Sequence, residues 1–305
     1  MEIVKSIRRM QETANALKAE GKSIGFVPTM GFFHAGHLSL MEAARQDDHA
    51  VVVVSIFVNP IQFGPQEDFT AYPRNLDNDS RLARDAGVDI LFVPDAGEMY
   101  PDSYQTSVVV KGLTENLCGR FRPGHFEGVA TVVAKLFSLV KPDTAYFGQK
   151  DFQQLAVIRK MVMDLNWEIR IKGMPIVREK DGLAMSSRNT YLSVEERKAA
   201  LCLYRSIGRA LQMRKEYLAH ASQGRVSSPF FKGTGKEGMP SRISHSSKII
   251  AEVQAIMAQE PLVRPEYIQV CHPETLQDVE YIEGQALLAL AIYVGKTRLI
   301  DNCLL

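Results

Sequence analysis

The sequence predicts an α/β protein: a parallel sheet wrapped by helices, followed by a smaller α+β domain. Three observations carry this reading. Up to residue 177, short apolar strand-like runs alternate with helix-like stretches, as a parallel sheet with crossover helices requires. Val51-Val52-Val53-Val54 is nearly continuous β-branched residue, as expected of a strand buried on both faces. Beyond Val177 the alternation stops, and helical stretches precede three strand-like pieces.

The elements follow in order. Ile3, Val4, Ile7, Met10, Ala14 and Leu17 sit at helical spacing and predict a surface amphipathic helix. Glu2, Glu12 and Glu20 argue against reading it as a targeting segment. Strands are expected at Ile24–Pro28, Ala50–Val58, Val88–Val93, Thr144–Phe147 and Glu168–Lys172. Helices are expected at His37–Asp47, Asn75–Ala86, Glu127–Val140 and Asp151–Leu165. Residues 1–177 thus form the first expected domain and 178–305 the second. In the second, Ser193-Val194-Glu195-Glu196 is a capping box that opens a long helix to about Tyr217. Another helix is expected at Ser247–Gln259, then strands at Glu266–Val270, Leu287–Val294 and Arg298–Ile300. Gly295-Lys296-Thr297 reads as a tight turn between the last two. Ala221–Ser247, rich in Ser, Gly and Pro, reads as a flexible surface insertion.

Composition narrows the function. Lys plus Arg is 36 against 35 for Asp plus Glu, without the basic excess of a general nucleic-acid binder. The four cysteines form no close pair, which argues against a zinc knuckle or redox motif and fits a reducing compartment. The longest apolar runs, near Val51–Val58 and Ala286–Val294, are too short to span a bilayer.

The chemistry concentrates at expected strand ends, where open α/β sheets bind ligands. Thr29-Met30-Gly31-Phe32-Phe33-His34-Ala35-Gly36-His37 joins a strand to a helix start, a place for anions. His34 and His37 read either as phosphate ligands or as one capping and one packed histidine. Gly36, costly inside a helix, favours a ligand lying close against the turn. In Gly148-Gln149-Lys150-Asp151, Lys150 is placed as a point charge for phosphate, and Asp151 reads as a ribose acceptor, a helix N-cap, or both. Met185-Ser186-Ser187-Arg188-Asn189 suits phosphate oxygens, or is a polar loop leading into the capping box. Asn59 and Gln62 are neutral hydrogen-bonding groups among apolar ones, suited to a small oxygen-bearing substrate. Arg120-Phe121-Arg122-Pro123-Gly124-His125-Phe126 is a basic loop that opens an apolar helix, whose Val132 and Val133 read equally as plain core.

Taken together and in this order, PTMGFFHAGH, FVNPIQF, RPGHF, KDFQQ and SSRN resemble the pantothenate synthetase (pantoate–β-alanine ligase) family, within the nucleotidyltransferases marked by HxGH. The likeness runs from Gly25 through Arg188 and resumes at Gly295–Asn302. It implies a Rossmann-like ATP- and pantoate-binding domain followed by a lid. It also implies ATP-dependent condensation of pantoate with β-alanine through a pantoyl adenylate, releasing AMP and pyrophosphate, in pantothenate and coenzyme A biosynthesis. The resemblance puts Pro28, Thr29, Met30, Gly31, His34, Gly36, His37, Gly148, Gln149, Lys150, Asp151, Val177, Met185, Ser186, Ser187 and Arg188 at ATP. It gives the chemistry to His34, His37, Lys150, Ser186, Ser187 and Arg188. Asn59, Gln62, Val132, Val133 and Gln154 would hold pantoate, with Arg122 and His125 near the β-alanine entrance. Mg²⁺ would ride on the ATP phosphates with no dedicated protein site. A cytoplasmic homodimer without nucleic-acid or membrane partners is implied. Many members carry an acidic residue where this chain has Gln149. The competing readings are an adenylyl- or cytidylyltransferase that stops at a nucleotide-linked product, and a nucleotide-binding regulatory protein.

Overall fold

The alternation of strands and helices closes into one parallel sheet. The computed structural model describes residues 1–65, 67–222 and 244–305. Residues 223–243, most of the insertion expected at 221–247, lie outside the described residues. Two units are formed, one from Met1–Lys180 and Ala184–Thr190, the other from Asp181–Leu183 and Tyr191–Leu305.

In the first unit the chain runs β1 (Glu2–Val4), α1 (Ile7–Ala19), β2 (Ile24–Thr29), α2 (Ala35–Gln46), β3 (Val51–Ile56), α3 (Leu76–Asp85) and β4 (Ile90–Phe92). It continues through α4 (Ala96–Met99), α5 (Leu117–Phe121), α6 (His125–Val140), β5 (Thr144–Gly148), α7 (Phe152–Asp164) and β6 (Arg170–Met174). The sheet order is β1-β4-β3-β2-β5-β6, with every pairing parallel. Counted from β2, this is the 3-2-1-4-5 order of nucleotide-binding α/β sheets, with β1 added at one edge. Successive strands run outward from β2 on one side, then the chain crosses to β5 on the other. The order therefore reverses between β2 and β5, and a crevice forms at their carboxyl ends.

The expected N-terminal helix is two elements. Ile3 and Val4 pair with Leu91 and Phe92 in β1, and the Ser6 side chain then accepts the Arg9 N–H to start α1. A free sheet edge took residues whose spacing also suits a helix.

Side-chain alternation sorts the core. Ile24 and Phe26 of β2, with Val51 and Val53 of β3, pack with residues of α1, α6 and α7. Val27, Val52 and Val54 point the other way and pack with Leu40, Met41 and Ala44 of α2 and Ala83 of α3. The valine run is thus buried on both faces, as its composition required.

The second unit comprises α8 (Val194–Ala200), α9 (Cys202–Ser222), β7 (Ser244–His245), α10 (Ser246–Met257), β8 (Val263–Cys271), β9 (Tyr281–Ile282), β10 (Leu287–Val294) and β11 (Thr297–Leu304). Strands β8, β10 and β11 form an antiparallel sheet with β10 in the middle, and β7 pairs with β9. Val294 pairs with Thr297 across the Gly295-Lys296 turn, as expected. The capping box is present: the Ser193 hydroxyl accepts the Glu196 N–H, and the Glu196 carboxylate accepts the Ser193 N–H. The single long helix expected after it is divided at Leu201, whose N–H bonds three residues back to the Lys198 carbonyl (3.3 Å). Among the described residues no helix is long and apolar enough to cross a membrane.

Phe26 is fully buried between the sheet and α6. Phe26→Ala should destabilise the first unit by about 3–5 kcal/mol. Urea unfolding read by the fluorescence of Trp167, the single tryptophan and a residue of this unit, measures the loss; a midpoint shift no larger than that of the exposed-site control Ile3→Ala would refute the packing assignment.

Candidate active site

The crevice at the sheet's switch point is walled by five pieces of the first unit. They are the end of β2 with the start of α2, the segment after β3, one face of α6, the end of β5 with the start of α7, and residues 175–177 with 185–188.

The first wall is a strained reversal. Gly31 and Phe32 both have positive φ, 82° and 54°. Asp79, 1% exposed, holds this turn, its two carboxylate oxygens accepting the Phe32 and Phe33 N–H groups at 2.7 Å each. The Thr29 hydroxyl accepts the Gly31 N–H (3.1 Å) and donates to the Ser55 carbonyl (2.6 Å). The chain is thereby delivered to His34, the N-cap of α2.

His34 and His37 form a capping box made of imidazoles. His34 Nδ1 accepts the Gly36 N–H at 3.1 Å, and His37 Nδ1 accepts the His34 N–H at 3.4 Å. A ring whose Nδ1 accepts a hydrogen bond carries its proton on Nε2. Each ring is therefore left with an Nε2–H donor, and both line the cleft, with centroids 4.1 Å apart. Burial, then the charge of Lys150, lowers the His34 pKa from 6.5 to about 4, against the opposing pull of Glu179 and Asp151. Burial, His34 and Lys150 hold His37 well below its ordinary range. Both rings are therefore neutral at neutral pH. Gly36 has its own reason here. A Cβ at that position would lie 2.9 Å from Cε1 of His34, so the glycine admits the capping ring before any ligand is considered.

Opposite, β5 ends at Gly148 and a single turn at Gln149–Asp151 leads into α7. Asp151 stands at the N-cap of α7 yet makes no side-chain capping bond, and it lines the cleft with Lys150. Gln153 and Gln154 have different duties. Gln153 is buried and braces α5 through Cys118 and the loop before it through Leu113 and Asn116, whereas Gln154 faces the cleft.

The loop bearing Met185, Ser186, Ser187 and Arg188 is tied to the same unit by the Met185 N–H to the Val177 carbonyl (3.0 Å). The Ser186 hydroxyl accepts the Arg188 N–H (3.3 Å), and Ser187 donates to the Phe32 carbonyl (3.4 Å). The Arg188 guanidinium forms a two-pronged pair with Asp68, at 2.9 and 2.7 Å. Burial opposes ionisation of Asp68, but the hydrogen bond and charge of Arg188 outweigh it and keep the carboxyl below its usual range.

The remaining wall is mixed. Asn59 and Gln62 follow β3, and Val132 and Val133 project from α6. The cleft thus gathers Pro28, Thr29, Met30, His34, Gly36, His37, Asn59, Gln62, Val132, Val133, Gly148, Lys150, Asp151, Gln154, Val177 and Met185 through Arg188. Four of the expected site residues do not line it: Gly31, Gln149, Arg122 and His125. Gly31 shapes the turn behind the wall. The Arg122 guanidinium is clasped by both carboxylate oxygens of Glu67, and His125 bonds the Gln62 carbonyl (2.9 Å). Several lining residues carried no earlier role: Leu40, Phe57, Tyr72, Val129, Leu136, Phe147, Pro175 and Ile176. Val129 and Leu136 were findable, since with Val132 and Val133 they make the i, i+3, i+4, i+7 stripe of one helix face. Asp68 and Asp79 gave no local signal, because Arg188 and the Phe32–Phe33 turn that they hold lie dozens of residues away.

Among the described residues no group of three or more His, Cys, Asp or Glu side chains is placed to hold a metal.

A parallel sheet whose switch-point cleft carries paired imidazole donors, a lysine and a serine–arginine loop defines an α/β protein built for a phosphate-bearing ligand. The family model described as pantoate-beta-alanine ligase matches residues 2–304. The chain is 51% identical over 302 residues to the pantothenate synthetase of Heliobacterium modesticaldum, covering 99% of this chain and 98% of that protein. It is 49% identical over 302 residues to that of Syntrophus aciditrophicus, covering 99% and 96%. The solved pantothenate synthetase of Thermus thermophilus superposes with a TM-score of 0.84 at 42% identity, covering 99% of both chains. The pantoate-beta-alanine ligase of Francisella tularensis, solved with beta-gamma ATP and beta-alanine, superposes with a TM-score of 0.75 at 32% identity, covering 100% of this chain and 97% of that one. The chain belongs to the pantoate–β-alanine ligase family, and is thus a ligase.

The lowered histidine pKa values have a signed consequence. Between pH 6.5 and about 4 the unfolded chain binds protons that folded His34 resists, so stability is full above 6.5 and falls as pH drops through that window. The slope of Trp167-monitored stability against pH over this range should be shallower in a His34→Gln, His37→Gln double variant than in the parent. Equal slopes would show that the rings are not held neutral. Nitrogen-15 shifts of the parent at pH 7 should report the Nε2–H tautomer for both.

Proposed function

We propose that this chain joins pantoate to β-alanine at the expense of ATP, in two steps within the one cleft. The observation that carries the reading is the pairing of walls. A donor set of His34, His37, Lys150, Ser186, Ser187 and Arg188 faces an apolar, carboxamide-bearing wall of Gln62, Gln154, Val132 and Val133. One wall suits a triphosphate; the other suits a small branched hydroxy acid.

In the first step a pantoate carboxylate oxygen attacks the α-phosphorus, and the bond to the pyrophosphate oxygen breaks. Charge accumulates on the α-phosphoryl oxygens and on pyrophosphate, where Lys150, Arg188 and the two Nε2–H groups supply stabilisation. No proton needs to be delivered, so neutral histidines fit the step as fixed donors. Positioning of carboxylate against phosphorus supplies much of the remainder. In the second step the β-alanine amine, having shed one proton, attacks the acyl carbon of the mixed anhydride. The C–O bond to AMP breaks, and the nitrogen gives up a second proton as the amide forms. Val132 and Val133 cover the pantoate methyl groups, and Gln62 and Gln154 bond its oxygens. Arg122 and His125 do not line the cleft and bear on it through the Gln62 carbonyl that His125 bonds. Mg²⁺ would neutralise phosphate charge when bound. Asp151, a cleft carboxylate not spent on its helix cap, is the protein oxygen best suited to it. The enzyme works as a cytoplasmic homodimer on this reading.

Product analysis with ATP, pantoate and β-alanine tests the reaction. Pyrophosphate exchange should depend on pantoate, and pantothenate and AMP should appear only when the amine is added. A nucleotide-linked product that β-alanine does not discharge would instead favour an adenylyltransferase. Lys150→Ala should lower kcat by roughly 10²–10³-fold, the usual cost of removing one preorganised charge stabiliser; undiminished turnover in that variant or in His34→Ala would sink the assignment of the donor wall.

A further inference from the structure

Gln62 can offer a substrate either end of its carboxamide, as donor or as acceptor, and the structure fixes which. The polarity is set by a backbone carbonyl, which can only accept. Gly128 O lies 3.0 Å from one terminal atom of the buried Asn59 side chain, so that atom is Nδ2. The same Nδ2 lies 3.1 Å from Gln62, so the Gln62 atom facing it is Oε1. Nε2 of Gln62 is therefore turned to the cleft, its protein neighbour the weakly accepting Met30 Sδ at 3.2 Å. Asn59 Oδ1 in turn needs a donor, and the Tyr100 hydroxyl supplies it at 2.9 Å. Tyr100 is outside the cleft lining. Its ring is held against Phe57 and Tyr104, with the Lys135 ammonium 5.6 Å from its centroid.

Two further contacts leave the arrangement little freedom. A Cβ on Gly128 would lie 2.6 Å from the Ile61 carbonyl oxygen and 2.7 Å from Gln62 Cα, so α6 presses on the turn that carries Gln62 only because residue 128 is glycine. The Gln62 carbonyl is an obligate acceptor, so His125 must present Nδ1–H to it and accept from the Arg122 guanidinium through Nε2 (3.0 Å).

We propose that Tyr100 is a positioning residue that anchors Asn59 and so holds Gln62 in place as the hydrogen-bond donor its contacts make it, which commits this wall to an oxygen acceptor of the hydroxy-acid substrate. The proposal rests on the pantoate assignment above and names the residue that enforces it. Removing the phenolic hydroxyl strands Asn59 Oδ1 in a buried site. The Gly128 carbonyl still forbids Asn59 to turn its carboxamide over, so Asn59 shifts as a whole to relieve Oδ1, and its bond to Gln62 Oε1 is loosened.

Tyr100→Phe keeps the ring and tests this directly. Pantoate-dependent pyrophosphate exchange should show a pantoate KM raised about tenfold, the scale of one lost buried hydrogen bond with its partner left unsatisfied. Binding of a non-hydrolysable ATP analogue should change by less than about twofold, because the ATP contacts are untouched. In a Gln62→Ala background, Tyr100→Phe should have no further effect on pantoate KM. An unchanged pantoate KM in Tyr100→Phe overturns the proposal. So does an equal penalty in the Gln62→Ala background, and so does a parallel loss of ATP-analogue affinity, which would mark a general structural role. Parent protein without pantoate-dependent exchange would overturn the substrate assignment itself, before any variant is compared.

Discussion

The buried carboxylate of Asp79 accepts the Phe32 and Phe33 N–H groups at 2.7 Å each, and the working face of the cleft hangs on those two bonds. The turn they hold passes through two consecutive positive-φ residues, a conformation that a non-glycine such as Phe32 does not keep unaided. Burial pushes the Asp79 carboxyl up, and the two backbone donors act against that shift. The turn sets where α2 begins. It thereby sets His34 at the N-cap and His37 one turn on, with their rings 4.1 Å apart. A helix N-terminus attracts anions through its free N–H groups and dipole. Here those groups are partly spent on imidazole Nδ1 atoms, and the donor capacity reappears at Nε2, further into the cleft.

The same device recurs on the other wall. Gln62, like the histidines, has its acceptor atom occupied by the protein and is left with N–H to show. Each orientation traces to an invariant of backbone chemistry: an N–H that must donate to His34 or His37, and a carbonyl that must accept from Asn59. The result is a cleft presenting donors to a ligand whose polar atoms are mostly oxygen. Because these donors are fixed before a ligand arrives, little reorganisation is left for the reaction.

Charge is managed differently from hydrogen bonding. Arg188 in the lining and Arg122 behind it are partly buried, and each meets a carboxylate in two-pronged geometry, Asp68 and Glu67 respectively. A buried guanidinium without a partner is costly, so neighbouring residues of one loop supply both counter-ions. Lys150 acts at longer range, its charge depressing the pKa of both histidines. The cleft therefore combines neutral donors of fixed direction with a few cations, and this suits a ligand whose charge shifts along a phosphate chain during reaction.

Local sequence determined much of this protein. The β-branched run of Val51–Val54 could only be a strand covered on both faces. The Gly295-Lys296 turn and the Ser193–Glu196 capping box needed no distant partner. That His34, His37, Lys150 and the Ser186–Arg188 loop would line one cleft was legible because polar groups placed at the ends of parallel strands converge on the sheet's switch point. Local sequence misled where two structures share one spacing: Ile3 and Val4 fit a helix, and the open edge beside β4 claimed them for a strand. Gly36 invited a ligand-based reason, and the His34 ring proved to be its neighbour. Tertiary structure alone decided the direction of the donors. Asp79, Tyr100 and the Gly128 carbonyl lie between 41 and 69 residues from the groups they orient, and no local periodicity records such a pairing. Local residues state which chemistry is available; long-range hydrogen bonds decide which atom of each group faces the substrate.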